Sequence, residues 1–312
     1  MEKIRLRKYK KGDEINLVSL YEYFFPEKMS LKLWEWKFKK NPNGNLIVVA
    51  FNKKKEIVGQ YYLQFKKGVY NGGEKLFILS VDTYIRVECR GQGFVNGAYK
   101  FLKKKEFFLY GFPNSFGVRS HIKAHGSEFG REEKIIILGK KNLLLFPHFS
   151  FKFKKSNHLN IVPLNKNNFY EFDNLWKSKV RELNTSVIRD CEYIKWRLLE
   201  CPNKNNIFFI KYRNNTIGYF SVYLKNGICY ISDILIFNKY MNKKLVSVIN
   251  AFCRNEFKFN RMKLLINDNI IVKAFLLNGY FVEDKITIRY GKNDKSQEHL
   301  NFYLTLSDTD FF

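Results

Sequence analysis

Apolar residues along this chain follow two periods, and the switches between them mark out elements. Residues 4–9 carry a short strand pattern, and residues 13–24 read as a helix begun by Gly12-Asp13, with Asp13 a candidate N-cap. A second helix covers 31–39. Strands near 45–52, 56–66 and 75–88 follow, rich in β-branched and aromatic residues and bounded by turn residues. A helix over 94–105, a strand over 107–111, a helix over 116–125 and a strand pair within 133–146 complete the set. Polar residues 151–160 read as a linker. The remainder opens at Ile161-Val162 and runs through the same plan, ending in strands near 281–290 and 300–306.

The two halves also match residue by residue. Residues 33–43 read Leu-Trp-Glu-Trp-Lys-Phe-Lys-Lys-Asn-Pro-Asn, and residues 193–203 read Tyr-Ile-Lys-Trp-Arg-Leu-Leu-Glu-Cys-Pro-Asn. Trp36 falls on Trp196, Lys37 on Arg197, Pro42 on Pro202 and Asn43 on Asn203. After each Pro-Asn stop come a strand, a polar turn, and a second strand with an early glycine, Gly59 or Gly218. Proline ends the helix by disfavouring helical torsions in the residue before it. One repeat of so long a period indicates duplicated domains, expected at 1–150 and 161–312, rather than a solenoid.

Composition narrows the class. A chain of 312 residues with 46% hydrophobic residues can build two cores. No apolar run is long enough for a membrane helix, and the charged start Met1-Glu2-Lys3-Ile4-Arg5 is unlike a signal peptide. Five scattered cysteines without a CxxC pair fit a reducing, cytoplasmic setting and offer no zinc spacing, so no metal is expected. The formal charge of +26 suits an anionic partner. Much of it follows from a bias towards Lys, Asn, Ile, Phe and Tyr, and nucleic acid is not the expected ligand.

The chemistry concentrates at residues 85–95, Ile-Arg-Val-Glu-Cys-Arg-Gly-Gln-Gly-Phe-Val, between an apolar strand and an amphipathic helix. Glycines let a backbone approach a phosphate closely, and a helix N-terminus offers free N–H groups to an anion. Arg90, Gly91, Gln92 and Gly93 resemble the acyl-CoA loop of the GNAT superfamily of N-acyltransferases, with Val95 where that family has a small residue. Asn114, after the next strand, resembles the family's asparagine, and His121 stands seven residues on, where the family usually has a tyrosine facing the CoA sulfur. The second half has Asn238-Lys239-Tyr240-Met241-Asn242 at the corresponding place, without glycine.

The resemblance implies an α/β (α+β) chain of two GNAT-like domains, each a mixed, mostly antiparallel twisted sheet flanked by helices. Only the first would hold acyl-CoA, with acetyl-CoA or a short hydroxyacyl-CoA as co-substrate. It further implies an acyltransferase of the bacterial cytoplasm acting on a nucleotide-linked amino sugar, such as a dTDP-linked 3-amino-3,6-dideoxyhexose of surface polysaccharide. The expected cofactor contacts are Tyr84, Ile85, Arg86, Val87, Arg90, Gly91, Gln92, Gly93, Phe94, Val95 and Asn114. Asp82 and His121 are the candidate proton-transfer groups. A structural aspartate paired with a lysine competes as the reading of Asp82. Trp34, Trp36 and Arg197 are candidate acceptor contacts, against a core role for the tryptophans. The tail, from Ser307, is a candidate to dock in a groove between the halves. Rival readings are an aminoacyl-tRNA-dependent peptidyl transferase, a protein or tRNA acetyltransferase, and a binding protein without catalysis. Neither acyl length nor oligomeric state, a dimer included, is set by the sequence.

Overall fold

The computed structural model describes residues 3–103, 106–114, 117–141, 158–291 and 302–309. The first stretch of chain forms β1 (Arg5–Lys8), α1 (Glu14–Phe24), α2 (Leu31–Phe38), β2 (Asn45–Phe51), β3 (Ile57–Tyr70), β4 (Gly73–Ile85), α3 (Phe94–Tyr99), β5 (Phe108–Gly111), α4 (Val118–His125) and β6 (Arg131–Lys141). The second forms β7 (Leu159–Pro163), α5 (Glu171–Lys179), β8 (Thr185–Val187), α6 (Cys191–Ile194), β9 (Asn206–Tyr212), β10 (Asn215–Lys225), β11 (Ile228–Ile236), α7 (Lys243–Glu256), β12 (Arg261–Ile266), α8 (Asn269–Leu276), β13 (Phe281–Tyr290) and β14 (Phe302–Tyr303). The helix expected over 94–105 closes at Tyr99; Gly97 in its middle weakens a helix, and a turn at Phe101 and Leu102 follows. Residues 142–157, which include the end of the expected strand pair and most of the expected linker, lie outside the described residues.

Packing divides the chain into two compact units, Met1–Glu133 with Thr287–Glu298, and Lys134–Ile286 with His299–Phe312. In the first, β1, β2, β3 and β4 run antiparallel in that order, β5 joins β4 in parallel, and the end of β13 adds antiparallel to β5. The second repeats the plan with β7, β9, β10 and β11 antiparallel, β12 parallel to β11, and β6 antiparallel to β12. Each sheet is therefore mixed and mostly antiparallel, flanked by helices, as the resemblance implies. The sequence cut near residue 150 does not follow the packing. β6 and β13 each begin in one unit and end in the other, and nothing in a strand's alternation records which edge it will join.

The internal repeat has a structural counterpart. Asn45 donates from its side chain to the Phe38 carbonyl at 2.6 Å, and Asn205 donates to the Leu198 carbonyl at 3.1 Å. The two asparagines, and the two carbonyls, are the same offset apart as the paired tryptophans. Each bond satisfies a carbonyl that the end of its helix leaves without an intrahelical donor. Gly59 and Gly218 serve one role as well: a Cβ would lie 3.0 Å from the Ile85 side chain at Gly59 and 2.5 Å from the Leu235 carbonyl oxygen at Gly218.

Alternation along β3 sorts the first core onto two faces. Tyr61 and Leu63 pack with Phe94, Ala98 and Phe129 on the α3–α4 side, while Tyr62 packs with Leu17, Leu20, Trp34 and Phe38 on the α1–α2 side.

The second unit has a buried ionic network. Arg189, Asp233 and Asp308 are each fully buried. The Arg189 guanidinium pairs with Asp233 at 3.2 Å and with Asp308, while Tyr219 donates to Asp233 at 2.6 Å and Thr305 to Asp233 at 2.7 Å. Removing one partner of such a set leaves an uncompensated buried charge, at a cost of about 3–5 kcal/mol. Arg189→Met is therefore expected to lower the urea midpoint by a corresponding amount, and adding Asp233→Asn and Asp308→Asn to recover part of it. A single-variant loss below about 1 kcal/mol would mean that the network carries little stability.

Candidate functional site

The site begins where β4 parts from β5. Their parallel register runs from Phe77↔Phe108 to Ser80↔Gly111 and stops, while β4 continues through Val81 to Ile85. Gly111 permits the last close approach, since a Cβ there would sit 2.8 Å from the Ser80 carbonyl oxygen. Just past this pair β4 bulges: Tyr62 pairs with Val81 and Gln60 with Tyr84, so Asp82 and Thr83 together oppose Tyr61. Asp82 takes a left-handed φ of 45°, uncommon for a residue with a Cβ. Strain of this kind collects at functional sites.

A turn over Val87–Cys89 carries the chain into Arg90-Gly91-Gln92-Gly93 and then α3. Gly91 and Gly93 adopt φ of 80° and 70°. A Cβ on Gly93 would meet no protein atom within 4 Å, so the glycine answers to its torsion and to open space in front of the helix. Gln92 folds back to hold the loop: its Oε1 accepts from the Ile4 amide at 3.1 Å and its Nε2 donates to the Cys89 carbonyl at 3.3 Å. Phe94 is buried, and Val95 packs against the core cluster, so its branched side chain points away from the cradle. Arg90 is exposed, as is Val87 with 59% of its surface. Open glycine torsions, an exposed arginine and the first-turn amides of α3 fit an anionic diphosphate.

The other expected contacts separate into structural and available groups. Ile85 packs on the core, and Tyr84 is buried among Tyr21, Phe24 and Phe25. Their backbone, not their side chains, borders the gap. The Arg86 amide is tied to the Val58 carbonyl at 2.9 Å, and its guanidinium lies over the Tyr23 ring. Asn114 is exposed and accepts from the Gly117 amide at 2.8 Å, which starts α4.

Asp82 and His121 lie on opposite faces of the sheet. Asp82 pairs with Lys37 of α2 at 2.6 Å, both side chains nearly buried, beside Tyr62, whose hydroxyl donates to the Lys37 carbonyl. Lys37 is thus held in the interior and not on a solvated helix face. His121 sits on the Tyr61 face, 8% exposed, its Nδ1 3.3 Å from Nε2 of His125. The same Nε2 lies 3.4 Å from the Tyr61 hydroxyl. Phe129 links this pair to the gap, since its ring is 5.8 Å from the His121 ring and its edge 3.2 Å from a Cβ built on Gly111. Tyr61, Tyr99 and Phe129 surround His125, and neither Tyr61 nor Tyr99 carried a functional signal in the linear pattern.

Trp34 has no exposed surface and Trp36 is buried, so neither offers an open ring face to an acceptor; their core reading holds. Arg197 is also buried, its Nε donating to the Ser307 carbonyl at 2.8 Å and its guanidinium to the Thr309 carbonyl. It fastens the tail. That segment docks within the second unit: Thr305 bridges to Ile266 of β12 and donates to Asp233 of β11, beyond the last β11–β12 register pair, Ile231↔Leu264. The place where β11 and β12 part is thus occupied by the protein itself. Among the described residues no backbone bridge crosses the matching gap in the first unit. The second unit's loop is closed too. Glu182 accepts from the Asn238 amide at 2.9 Å and from Lys179, which also donates to the Asn238 side chain, while Asn242 caps α7. A carboxylate already holds the amide there, which opposes an anionic ligand.

Burial holds both histidines neutral. Desolvation lowers His121 from 6.5 to about 4 and, with His121 beside it, His125 to about 3. Below 6.5 the unfolded chain binds protons that the folded protein refuses, so this stability is present above pH 6.5 and is lost as pH falls towards 4 and 3. The slope is about 1.4 kcal/mol per pH unit for each histidine. Urea unfolding between pH 7 and 5 is expected to show a shallower loss in His125→Phe than in wild type, and equal slopes would contradict the neutral, buried state.

No family model matches the sequence, and no curated protein matches it. Solved structures do match along nearly the whole chain. A conserved protein of unknown function from Enterococcus faecalis V583, named a probable N-acyltransferase, is 13% identical, with a TM-score of 0.68 over 93% of this chain and 72% of that one. The Saccharomyces cerevisiae N-myristoyltransferase with bound myristoyl-CoA is 8% identical, at a TM-score of 0.62 over 93% of this chain and 78% of its own. A tandem GNAT protein from the clavulanic acid biosynthesis pathway is 10% identical, at 0.58 over 95% of this chain and 100% of that one. At such identities the likeness is one of fold: this chain has the tandem fold of GNAT-type acyltransferases.

Proposed function

We propose that the protein is an acyl-CoA-dependent N-acyltransferase whose reaction takes place in the first unit. The carrying observation is the glycine cradle of residues 90–93 opening beside the parted strands β4 and β5, while the second unit closes both equivalents with its own residues. The yeast enzyme of the same fold binds myristoyl-CoA, which supports the class of co-substrate.

Acyl-CoA supplies the activated thioester. Gly91, Gly93 and the first-turn amides of α3 would hold its diphosphate, with Arg90 adding positive charge. The edge of β4 beyond Ser80 would offer backbone donors to the thioester carbonyl, where fixed dipoles stabilise developing negative charge. The two faces divide the remaining work. Asp82, with its charge balanced by Lys37, would orient the amine arriving from the α1–α2 side. His121 stands on the α3–α4 side, its ring 5.8 Å from that of Phe129, which borders the end of β5 at Gly111. Direct attack in a site that holds both reactants needs no covalent enzyme intermediate.

For the acceptor we propose an anionic small molecule bearing an amine, with a dTDP-linked 3-amino-3,6-dideoxyhexose as the specific choice. The formal charge of +26 supports an anion.

Millimolar CoA or acetyl-CoA is expected to raise the melting temperature of the wild type, because a ligand that binds only the folded state stabilises it by mass action. Gly93→Glu, which fills the open space and adds a negative charge, is expected to abolish that shift. An absent shift in the wild type, or an equal one in the variant, would overturn the assignment.

A further inference from the structure

The histidine pair settles a question that the proposed function leaves open: whether His121 faces the reaction as a proton donor or as a proton acceptor. A neutral imidazole carries one proton on one of two nitrogens, and the partner of the first nitrogen decides the state of the second.

Tyr61 fixes the first proton. Its hydroxyl is fully buried, and among the described residues its hydrogen-bond partner is His125 Nε2 at 3.4 Å. A buried O–H must donate somewhere or cost about 1–3 kcal/mol. Its burial also pushes the Tyr61 pKa well above 10, which keeps the proton in place. Nε2 of His125 is therefore the acceptor, and His125 carries its own proton on Nδ1. That nitrogen is buried with no hydrogen-bond partner among the described residues, and its ring stands edge-on to Tyr99, the ring centroids 4.4 Å apart at 83°. The opposite assignment is worse by count. A proton on His125 Nε2 would orphan both the Tyr61 O–H and the His125 Nδ1 lone pair, where the first assignment orphans one group.

The next step follows from the 3.3 Å contact between His125 Nε2 and His121 Nδ1. Two lone pairs facing each other at that distance repel, so His121 must carry its proton on Nδ1. Its Nε2 is then an unprotonated lone pair. The contacts at 3.3 and 3.4 Å, both on the long side, are what one acceptor shared by two donors gives.

We propose that Tyr61 and His125 are positioning residues that fix His121 in the Nδ1–H tautomer, so that His121 Nε2 serves as the proton acceptor for the attacking amine. This rests on the acyltransferase reading for its chemistry and on the contacts alone for its tautomer. In the step, the amine nitrogen forms a bond to the thioester carbonyl carbon, its N–H proton passes to His121 Nε2, and the C–S bond breaks to release the CoA thiolate. The proton then passes from His121 to solvent. A nitrogen bonded to that carbon is far more acidic than a free ammonium, so a weakly basic imidazole suffices. In the resting state Nε2 has no proton to give, so His121 can return to the thiolate only the proton it has taken from the amine.

Long-range 1H–15N correlation spectra of the full chain labelled with 15N-histidine, at pH 7.5 and without ligand, read the tautomer of each ring directly. Resonances of His121 and His125 are assigned from His121→Asn and His125→Gln. The expected result is the Nδ1–H tautomer at both positions. Tyr61→Phe, which removes only a hydroxyl, is expected to release the constraint and let His125 place its proton on Nε2 and His121 adopt the Nε2–H form. An Nε2–H tautomer of His121 in the wild type, or a pattern unchanged by Tyr61→Phe, would overturn the proposal. These spectra do not depend on turnover. If CoA fails to bind while the tautomers are as expected, the acyltransferase reading fails and the hydrogen-bond assignment stands.

Discussion

Everything in the first unit depends on a parallel strand pair that stops early. β4 and β5 hold register only to Ser80 and Gly111, and the bulge at Asp82 and Thr83 turns β4 away immediately afterwards. Parallel strands that part in this way leave a backbone edge inside the molecule with its donors directed into a gap. Buried polar groups must be satisfied by something. A strand edge in this position therefore calls for an occupant, and on the proposed reading the glycine loop at the end of the same strand receives the anionic part of one. The bulge also places Asp82 and the Tyr61–His125 contact at one level of the sheet on opposite faces, which a regular strand would not do.

The second unit answers the same constraint differently. β11 bulges at Ser232 next to its own aspartate, Asp233, and parts from β12 after Ile231. Here the protein's own tail enters. Thr305 bonds to both strands, Tyr303 donates to the Ile234 carbonyl, and Arg189 and Arg197 hold Asp308 and the tail carbonyls. A gap of this kind must be filled, and a covalently attached segment fills it without the entropy of association. The two bulged strands thus had one origin and two outcomes.

The sequence made the duplication legible because helix stops and turn glycines are local devices. The Pro-Asn stops lie beside asparagines that make equivalent bonds in both copies, and Gly59 and Gly218 both lie against a neighbouring strand. The turn glycines of residues 90–93 were legible for the same reason, since Gly91 and Gly93 adopt positive φ. What stayed hidden is long-range. Lys37 meets Asp82 across two elements, Arg189 meets Asp308 across most of a domain, and β6 and β13 join sheets that their neighbours in sequence do not predict. The tryptophans were ambiguous by nature, because a ring that could stack on a sugar is also a ring that fills a core. The structure decides for the core.

Charge explains why the two faces of the site have different characters. A buried carboxylate stays ionised only with a cation beside it, and Lys37 is that cation for Asp82. The pair is then a fixed dipole, suited to orienting an amine and poorly suited to exchanging protons, since proton gain by Asp82 would strand Lys37. The opposite face has no buried ion pair among its described contacts; it has Tyr61, His125 and His121, three neutral groups joined through one nitrogen. Burial opposes a lasting charge on this chain, so a proton gained at its outer end is readily given up again. On the proposed reading, proton transfer falls to the histidine face and orientation to the aspartate face, with the parted strands between them.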